Sequence, residues 1–498
     1  MSKFIQITIP AAAQGKRLSA YLAEAGYPIA ADCGGRGTCG KCVVTLVSGS
    51  LAADPEGLTP LVPDSEGKLL ACRAFCKGED AVILLPVSEG QGLTVAITKT
   101  TLTDTHRCGV ALDIGTTTLA AALVSLDDGA ILRTVSRLNP QKSFGADVMS
   151  RIGAVMEDES SLHTMQALLL DSVRLMIDEL TGGKPVSHMT VAGNPTMLHL
   201  FCGVSPTGMG AYPFTPVFTE TKILSGDTLG LPAGTVTLLP SISAFIGGDL
   251  TAGMIAQRIT DHGDPVLLVD MGTNGEMILY TGKRHGSRLY GTSTAAGPAL
   301  EGAGISTGVG GISGAVSSVQ WNGVSLVCDT IGHAPPVGIC GSGLIDLVAV
   351  LLLREIVDET GYLEEDPFPY AEGLTLTGAD IRAFQLAKSA LRAGMEVLCE
   401  TAGLSPRELS LICIAGGLGH YMNVSSAVQV GLLPDCPRRN MVGVGNTALM
   451  GAAMVLKDPS LLEKVSEEAA ACQTVDLNLS PSFSDKFMEY MMFPCEDA

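Results

Sequence analysis

The sequence predicts an α/β multidomain protein: a small unit of strands and one helix around a cysteine loop, then two larger α/β subdomains. Three observations carry this. The stretch "CGGRGTCGKC" (Cys33 to Cys42) sets three thiols among four glycines, between short apolar runs. A buried-strand pattern ending in Asp-x-Gly-Thr occurs twice, with its aspartates 157 residues apart. At 498 residues, 46% of them hydrophobic and only 16% charged, the chain has material for about three cores, and 59 glycines suit many tight turns.

Composition also excludes functions. A net charge of −20 argues against nucleic acid, whose phosphate backbone demands a Lys/Arg surface, and disfavours anionic membranes. Mean hydropathy is positive (+0.34). Yet the most apolar run, "GLIDLVAVLLL" (Gly343 to Leu353), contains Asp346 and stops at Arg354, short of the roughly 20 residues a span needs, so it reads as a buried helix. The N-terminus lacks the long apolar stretch of a signal peptide. A cytoplasmic setting follows as an expectation, with most of the 14 cysteines reduced, metal-bound or buried.

In the first hundred residues, Ile5, Ile7 and Ile9 alternate as a strand over 3–9 would. A helix is expected over 17–26 with Leu18, Leu22 and Ala25 on one face. Strands are expected over 42–47 ("CVVTLV") and 80–86 ("DAVILLP"). Strand, helix and further strands in under 90 residues fit a β-grasp. Cys33, Cys39 and Cys42 are spaced C-x5-C-x2-C, and "LLACRAFC" adds Cys72 and Cys76. Four thiolates can hold two irons and two sulfides. Gly34, Gly35, Gly37 and Gly40 permit the positive φ angles of a loop folded round such a cluster and leave room for the sulfides. Zinc also takes four cysteines, but usually from two short C-x2-C knuckles, and only Cys39 and Cys42 form one here. Residues 88–106, rich in Gly and Thr, read as a linker; as a flexible chain its ends would lie about 25 Å apart, enough for a tethered carrier to swing.

The cysteine spacing resembles the ferredoxins of adrenodoxin type, which have five residues between the first two cysteines. That resemblance implies a [2Fe-2S] cluster on Cys33, Cys39, Cys42 and Cys72, "LLAC" being its pattern for the fourth ligand; Cys76 is then a bystander.

The repeat lies in the rest of the chain. "VALDIGTTTLAAAL" (Val110 to Leu123) and "LLVDMGTNGEMIL" (Leu267 to Leu279) each read as strand, Asp, Gly-Thr turn, second strand. Gly115 and Gly272 let main-chain N–H groups approach phosphate oxygens, and the Thr116, Thr117, Thr118 and Thr273 hydroxyls add donors, with Asn274 beside them. Asp113 and Asp270 at the strand ends can hold Mg²⁺ through water. In "IAGGLGHYMN" (Ile414 to Asn423), Gly416 and Gly417 would let backbone approach an adenosine. Together these resemble the phosphate 1, phosphate 2 and adenosine motifs of the acetate and sugar kinase/Hsc70/actin (ASKHA) superfamily. "FIGGDLTAGMIA" (Phe245 to Ala256) and "GVGNTALMGAA" (Gly443 to Ala453) stand where that superfamily has its two connecting helices. The resemblance implies two ribonuclease-H-like (actin/hexokinase-type) subdomains across a cleft for ATP or ADP with Mg²⁺, Asp249 near the γ-phosphate, and catalytic roles for Asp113, Asp249 and Asp270. "GICGSGLIDLV" (Gly338 to Val348) is either a further nucleotide contact or tight helix packing.

A ferredoxin fused to an actin-like ATPase resembles the reductive activators of corrinoid proteins, the RACo-like family. "NPQKSFGADVMSRI" (Asn139 to Ile152), "VAGNPTMLHLFCG" (Val191 to Gly203), "AAGPALEGAGI" (Ala295 to Ile305), "FQLAKSALRAGMEVL" (Phe384 to Leu398) and "FMEYMMFP" (Phe487 to Pro494) are similar to its blocks. The expected division is a ferredoxin over 1–87, the linker over 88–106, and ribonuclease-H-like subdomains over 107–260 and 261–498. The resemblance implies ATP-dependent transfer of one electron from the cluster to Co(II) of a corrinoid protein, restoring Co(I) for methyl transfer. It also implies an upstream electron donor as a second partner. No nucleic acid or membrane partner is expected, and a homodimer through the ATPase half is a further expectation. Two other readings stay open at this point: a metabolite kinase with a redox-sensing ferredoxin, and a non-catalytic nucleotide-dependent scaffold for redox partners.

Overall fold

The computed structural model describes residues 3–25, 29, 37, 42–87, 107–418 and 422–494. Cys33, Cys39, the loop glycines Gly34, Gly35 and Gly40, and the linker 88–106 lie outside the described residues. The chain forms two compact units, Met1–Leu238 and Leu239–Ala498.

The first unit opens with the small sheet that the alternating isoleucines call for. Strands β1 (Lys3–Ile9), β2 (Val43–Ser48), β3 (Leu51–Ala52), β4 (Lys68–Leu70), β5 (Phe75–Cys76) and β6 (Ala81–Val87) surround helix α1 (Leu18–Glu24). The main sheet runs β1-β6-β2-β4, antiparallel throughout, with β3 and β5 paired separately. Leu18 and Leu22 of α1 are fully buried against Ile9, Val44, Leu51 and Ile83, the apolar face the spacing foretold, whereas Ala25 falls past the helix end and is exposed.

The same unit continues with a six-stranded sheet of order β11-β12-β10-β7-β8-β9. Strands β7 (Cys108–Ile114), β8 (Thr118–Ser125) and β9 (Ile131–Leu138) form an antiparallel meander. Helices α2 (Val148–Glu157) and α3 (Ser160–Thr181) follow, then β10 (Val186–Gly193), which lies parallel to β7. Helix α4 (Pro195–Cys202), β11 (Lys222–Ser225), the single turn α5 (Gly226–Leu229) and β12 (Ala233–Leu238) complete it. One face of the sheet is buried by Met165, Leu169, Val173 and Met176 of α3.

The second unit repeats this plan. Helix α6 (Gly248–Ala256) precedes a meander of β13 (Val266–Met271), β14 (Gly275–Tyr280) and β15 (Leu289–Thr294). Three strands, β16 (Ala315–Trp321), β17 (Leu326–Thr330) and β18 (Gly338–Ile339), form a side sheet before α7 (Gly341–Leu353), and a hairpin of β19 (Phe368–Ala371) and β20 (Leu374–Leu376) leads into α8 (Gly378–Thr401). Then come β21 (Leu411–Ala415), α9 (Val424–Gln429), β22 (Met441–Gly445), α10 (Thr447–Lys457), α11 (Ser460–Ala471), β23 (Gln473–Thr474) and α12 (Pro481–Glu489). The sheet order is β22-β21-β13-β14-β15-β23, with β21 parallel to β13 as β10 is to β7. Meander plus parallel crossover, made twice, is the ribonuclease-H-like plan the internal repeat implied.

Glycines set the close contacts of this unit. Helices α6 and α10 cross where a Cβ on Gly451 would stand 2.0 Å from the Ala252 carbonyl oxygen. Gly341 and Gly343 at the start of α7 meet the Leu300 and Val316 carbonyls as closely (1.9 and 2.2 Å to a built Cβ), which is the tight-packing reading of "GICGSGLIDLV". Residues 344–349 and Leu351 of α7 are also buried, Leu353 at its end is exposed, and among the described residues no helix is long and apolar enough to cross a membrane. The C-terminal segment is anchored by a buried lysine: Lys388 of α8 donates to the Tyr490 and Met492 carbonyls (2.6 and 2.7 Å) and lies over the Phe493 ring.

Candidate functional site

Three constellations carry the chemistry, and each is assembled by a strand register or a turn. The first is the cysteine site. Val43 pairs with Leu70 across β2 and β4, and the Ala71 N–H donates to the Cys42 carbonyl (2.8 Å), so Cys42 and Cys72 arrive side by side. Both are buried (1% and 2% exposed). Gly37, in the left-handed region (φ +74°), is packed on the side chain of Arg73, the neighbour of Cys72. This donor set, two buried thiols at one edge of the sheet, fits part of an iron–sulfur ligand set. Cys76 points elsewhere in role. Its backbone is tied into β5 and to Gly15 and Lys16, and burial pushes its thiol up to about 11, the state of an inert core cysteine.

The second constellation is the first Gly-Thr turn, between β7 and β8. Asp113, Gly115, Thr116, Thr117 and Thr118 all lie on it. The Gly115 N–H donates to the Thr118 carbonyl (3.0 Å), and a Cβ at Gly115 would stand 2.5 Å from that oxygen, which is why glycine is required. Two Asn-Pro pairs grip the turn. Asn139 caps the turn Pro140–Phe144 by accepting from the Gln141 N–H (3.0 Å), which aims its Nδ2 at the Gly115 carbonyl (2.9 Å), while its own N–H donates to the Thr117 carbonyl (2.9 Å). Asn194 caps α4 by accepting from the Met197 N–H (3.0 Å) and donates Nδ2 to the Thr116 hydroxyl oxygen (2.9 Å). Arg151 of α2 donates to the Thr116 carbonyl.

The third constellation is the second turn, between β13 and β14. Here Asp270 stands opposite Glu276 in the β-ladder, at a position where the first turn has Asp113 opposite Ala120. Burial and the carboxylates of Asp249 and Glu301 push Asp270 up to about 7. Burial, Asp249 and Asp270 hold Glu276 well above the usual carboxylate range. Asp249 lies in the first turn of α6, where its Oδ1 accepts from the Leu250 N–H (2.8 Å). The Gly272 N–H donates to the Asn274 carbonyl (3.1 Å), closing the turn. Thr273 is engaged by Glu301, which accepts from its N–H (3.1 Å) and its hydroxyl (2.9 Å). Gly416, at φ +89°, approaches so closely that a Cβ would stand 2.8 Å from Asp270 Oδ1, whereas a Cβ on Gly417 would meet open space. Among the described residues no three His, Cys, Asp or Glu side chains converge to hold a bare metal ion.

The matches to known proteins follow the same order along the chain. Residues 5–77 match the 2Fe-2S iron-sulfur cluster binding domain, 108–262 the RACo middle region, and 264–498 the C-terminal domain of RACo, the ASKHA domain. The corrinoid activation enzyme RamQ of Eubacterium limosum is 32% identical over 428 residues, covering 77% of this chain and 70% of the relative. This chain belongs to the RACo family. The [Co(II) methylated amine-specific corrinoid protein] reductase of Methanosarcina barkeri is 27% identical over 406 residues, with 72% of each chain covered. A solved structure of a reductive activator for corrinoid, iron-sulfur protein superposes with a TM-score of 0.73 at 26% identity, over 97% of this chain and 96% of that one.

In this RACo-family chain the turns and glycines were marked by their local pattern, but five residues around them were not. Asn139, Arg151 and Asn194 stand on the first turn, Glu276 and Glu301 on the second. A signal for the two asparagines was present in the sequence: Asn139 and Asn194 both precede proline, the arrangement of an N-cap with proline at the first helical position.

Proposed function

We propose that this protein is an ATP-dependent reductive activator that delivers one electron to Co(II) of a corrinoid protein and so restores Co(I) for methyl transfer. The observation that carries this is the union, in one chain of the RACo family, of a 2Fe-2S-type domain holding the buried thiols Cys42 and Cys72 with two Gly-Thr turns on a duplicated ASKHA-type fold. A [2Fe-2S] cluster on Cys33, Cys39, Cys42 and Cys72 supplies the single electron when bound. Such centres sit near about −400 mV when of plant type, and each ~59 mV of uphill gap costs tenfold for one electron, so nucleotide must contribute.

The residues divide that work. Gly115 and Thr116–Thr118 offer N–H and hydroxyl donors for phosphate, and Gly272, Thr273 and Asn274 offer a second set. Asp113, Asp249 and Asp270 are the carboxylates assigned catalytic roles, each on its own turn or helix able to hold a hydrated Mg²⁺, which when bound would neutralise phosphate charge and activate a water. Gly416 and Gly417 leave space for the adenosine. The domain division at 1–87, 88–106, 107–260 and 261–498 is part of this reading, as are a cytoplasmic setting, an upstream electron donor and a homodimer through the ATPase half. The test is the cobalt spectrum of a mixture of reductant, Co(II) corrinoid protein and this protein, with and without ATP. Co(I) absorbance that needs ATP supports the proposal. Equal Co(I) without nucleotide refutes its ATP dependence, and phosphorylation of a small molecule in place of Co(I) favours a metabolite kinase.

A further inference from the structure

Arg151 is fully buried (0% exposed) on α2, behind the first turn. Its guanidinium donates to four acceptors: the Gly145 carbonyl (Nε, 3.1 Å), Gln141 Oε1 (3.3 Å), Met197 Sδ (3.1 Å) and the Thr116 carbonyl. All four are neutral. The Gln141 amide is oriented for this role, because its Nε2 donates to the Met165 carbonyl (3.0 Å) and leaves Oε1 for the arginine. The carboxylate that acts on Arg151 is Asp147, and it caps α2 by accepting from the Ser150 N–H (2.7 Å). Burial pulls the Arg151 pKa down to about 9, which leaves it a cation at neutral pH.

A buried guanidinium normally stands against a carboxylate, because the cost of removing its charge from water is otherwise uncompensated. Here every acceptor in hydrogen-bond reach is neutral, the Asp147 carboxylate acts only from the cap of α2, and the cation faces the carbonyl side of a turn whose other side carries N–H groups. The peptide plane makes this directional: the Thr116 carbonyl and the Thr117 N–H belong to one amide and point opposite ways. A charge-assisted bond to the carbonyl polarises that amide and strengthens its N–H as a donor. Asn139 does the same, without charge, for the amide that carries the Thr116 N–H. Asn194 donates to the Thr116 hydroxyl oxygen, so the hydroxyl proton turns to another acceptor.

We propose that Arg151 is the phosphate-positioning residue of the first turn, its buried charge answered by the phosphates of a nucleoside di- or triphosphate bound on the turn's N–H side. This rests on the nucleotide-binding reading of that turn. It assigns the residue a role in phosphate recognition, beyond holding α2 to the sheet.

The test is calorimetric titration of Mg–ATP, Mg–ADP and adenosine into the full-length wild-type protein, Arg151→Lys and Arg151→Gln. The expected order for ATP and ADP is wild type, then Lys, then Gln, with Gln weaker on the order of 10- to 100-fold, the range for loss of a charged hydrogen bond. Adenosine affinity is expected to be equal in all three. Gln binding ATP as tightly as wild type overturns the proposal, as does an equal loss of ATP and adenosine, the mark of a merely structural arginine. Should the Gln protein not fold, Lys against wild type decides on the same criterion: weaker ATP with unchanged adenosine supports the proposal, and any other pattern overturns it. A wild-type protein that binds neither ATP nor ADP removes the nucleotide reading and this proposal together, which separates that failure from the failure of Arg151 alone.

Discussion

The two Gly-Thr turns have the same strand plan and opposite surroundings. The first, after Asp113, has a buried cation and the Asn139 amide at its carbonyls and the Asn194 amide at its Thr116 hydroxyl, with Ala120 across the ladder from its aspartate. The second, after Asp270, is set among the carboxylates of Asp249, Glu276 and Glu301, two of the four acids being held up the pH scale by one another and by burial. On the proposed nucleotide reading the duplicated turn would be divided in labour: the donors of the first would be strengthened for phosphate anions, whereas the acids of the second are crowded in a way that a divalent cation or a proton would relieve.

The comparison breaks most visibly at the acids. Asp270→Ala should lower ATP turnover on the order of 100-fold, measured with Mg²⁺ in excess, because the metal loses its carboxylate. The cluster of that variant should still accept one electron, seen by visible absorbance. The converse variant, Cys72→Ala, should lose the iron and all Co(I) formation while keeping ATP hydrolysis, and Cys76→Ala should retain two irons per chain by metal analysis. Iron lost equally from both cysteine variants would remove the distinction between ligand and core thiol.

Gly416→Val should come next in size. Its positive φ and the approach to Asp270 leave no room for a side chain, so nucleotide affinity should fall on the order of tenfold or more by calorimetry. Gly417→Ala, whose methyl would meet no protein atom and enter only the space left for the adenosine, should weaken affinity by less than Gly416→Val does. Equal effects at the two positions would contradict the geometry.

A pH profile sharpens the charge contrast. Asp270 holds its proton up to about 7, against about 3.9 for an unfolded aspartate, so the folded chain binds that proton more tightly. Its contribution to stability is then full below about pH 4 and is lost as pH rises to 7. Thermal unfolding without ligand should show that decline, and Asp270→Asn should flatten it. Mg–ATP affinity should move the other way, rising between about pH 6 and 8 as the carboxylate ionises. An unchanged slope in Asp270→Asn would mean that another group carries the titration.

The smallest effect expected has the least intuitive sign. Glu301 occupies both the N–H and the hydroxyl of Thr273, the donors a phosphate oxygen would take. Glu301→Gln should therefore tighten ATP binding by roughly three- to tenfold, since a neutral amide competes less well with phosphate than a carboxylate does. Weaker binding would assign Glu301 to the metal or the water instead.

The sequence by itself determined the features whose pattern closes within a dozen or so residues. The C-x5-C-x2-C loop marked a cluster site, alternating isoleucines marked the first strand, and a strand ending in Asp-x-Gly-Thr marked each half of the ATPase fold. Glycine turns and two-residue periodicity are local physics, so they survive in the text. Tertiary structure alone decided what stands around those turns. Asn139, Arg151 and Asn194 reach the first turn from 24, 35 and 78 residues away, and Glu301 reaches Thr273 from 28. Even the two Asn-Pro caps, visible in the sequence, announce only that a helix begins. Which partner the spare amide nitrogen meets is settled by β9 pairing with β8 and by β10 lying parallel to β7. A side chain's partner across such a distance is set by the path of the whole chain, and no local pattern carries it.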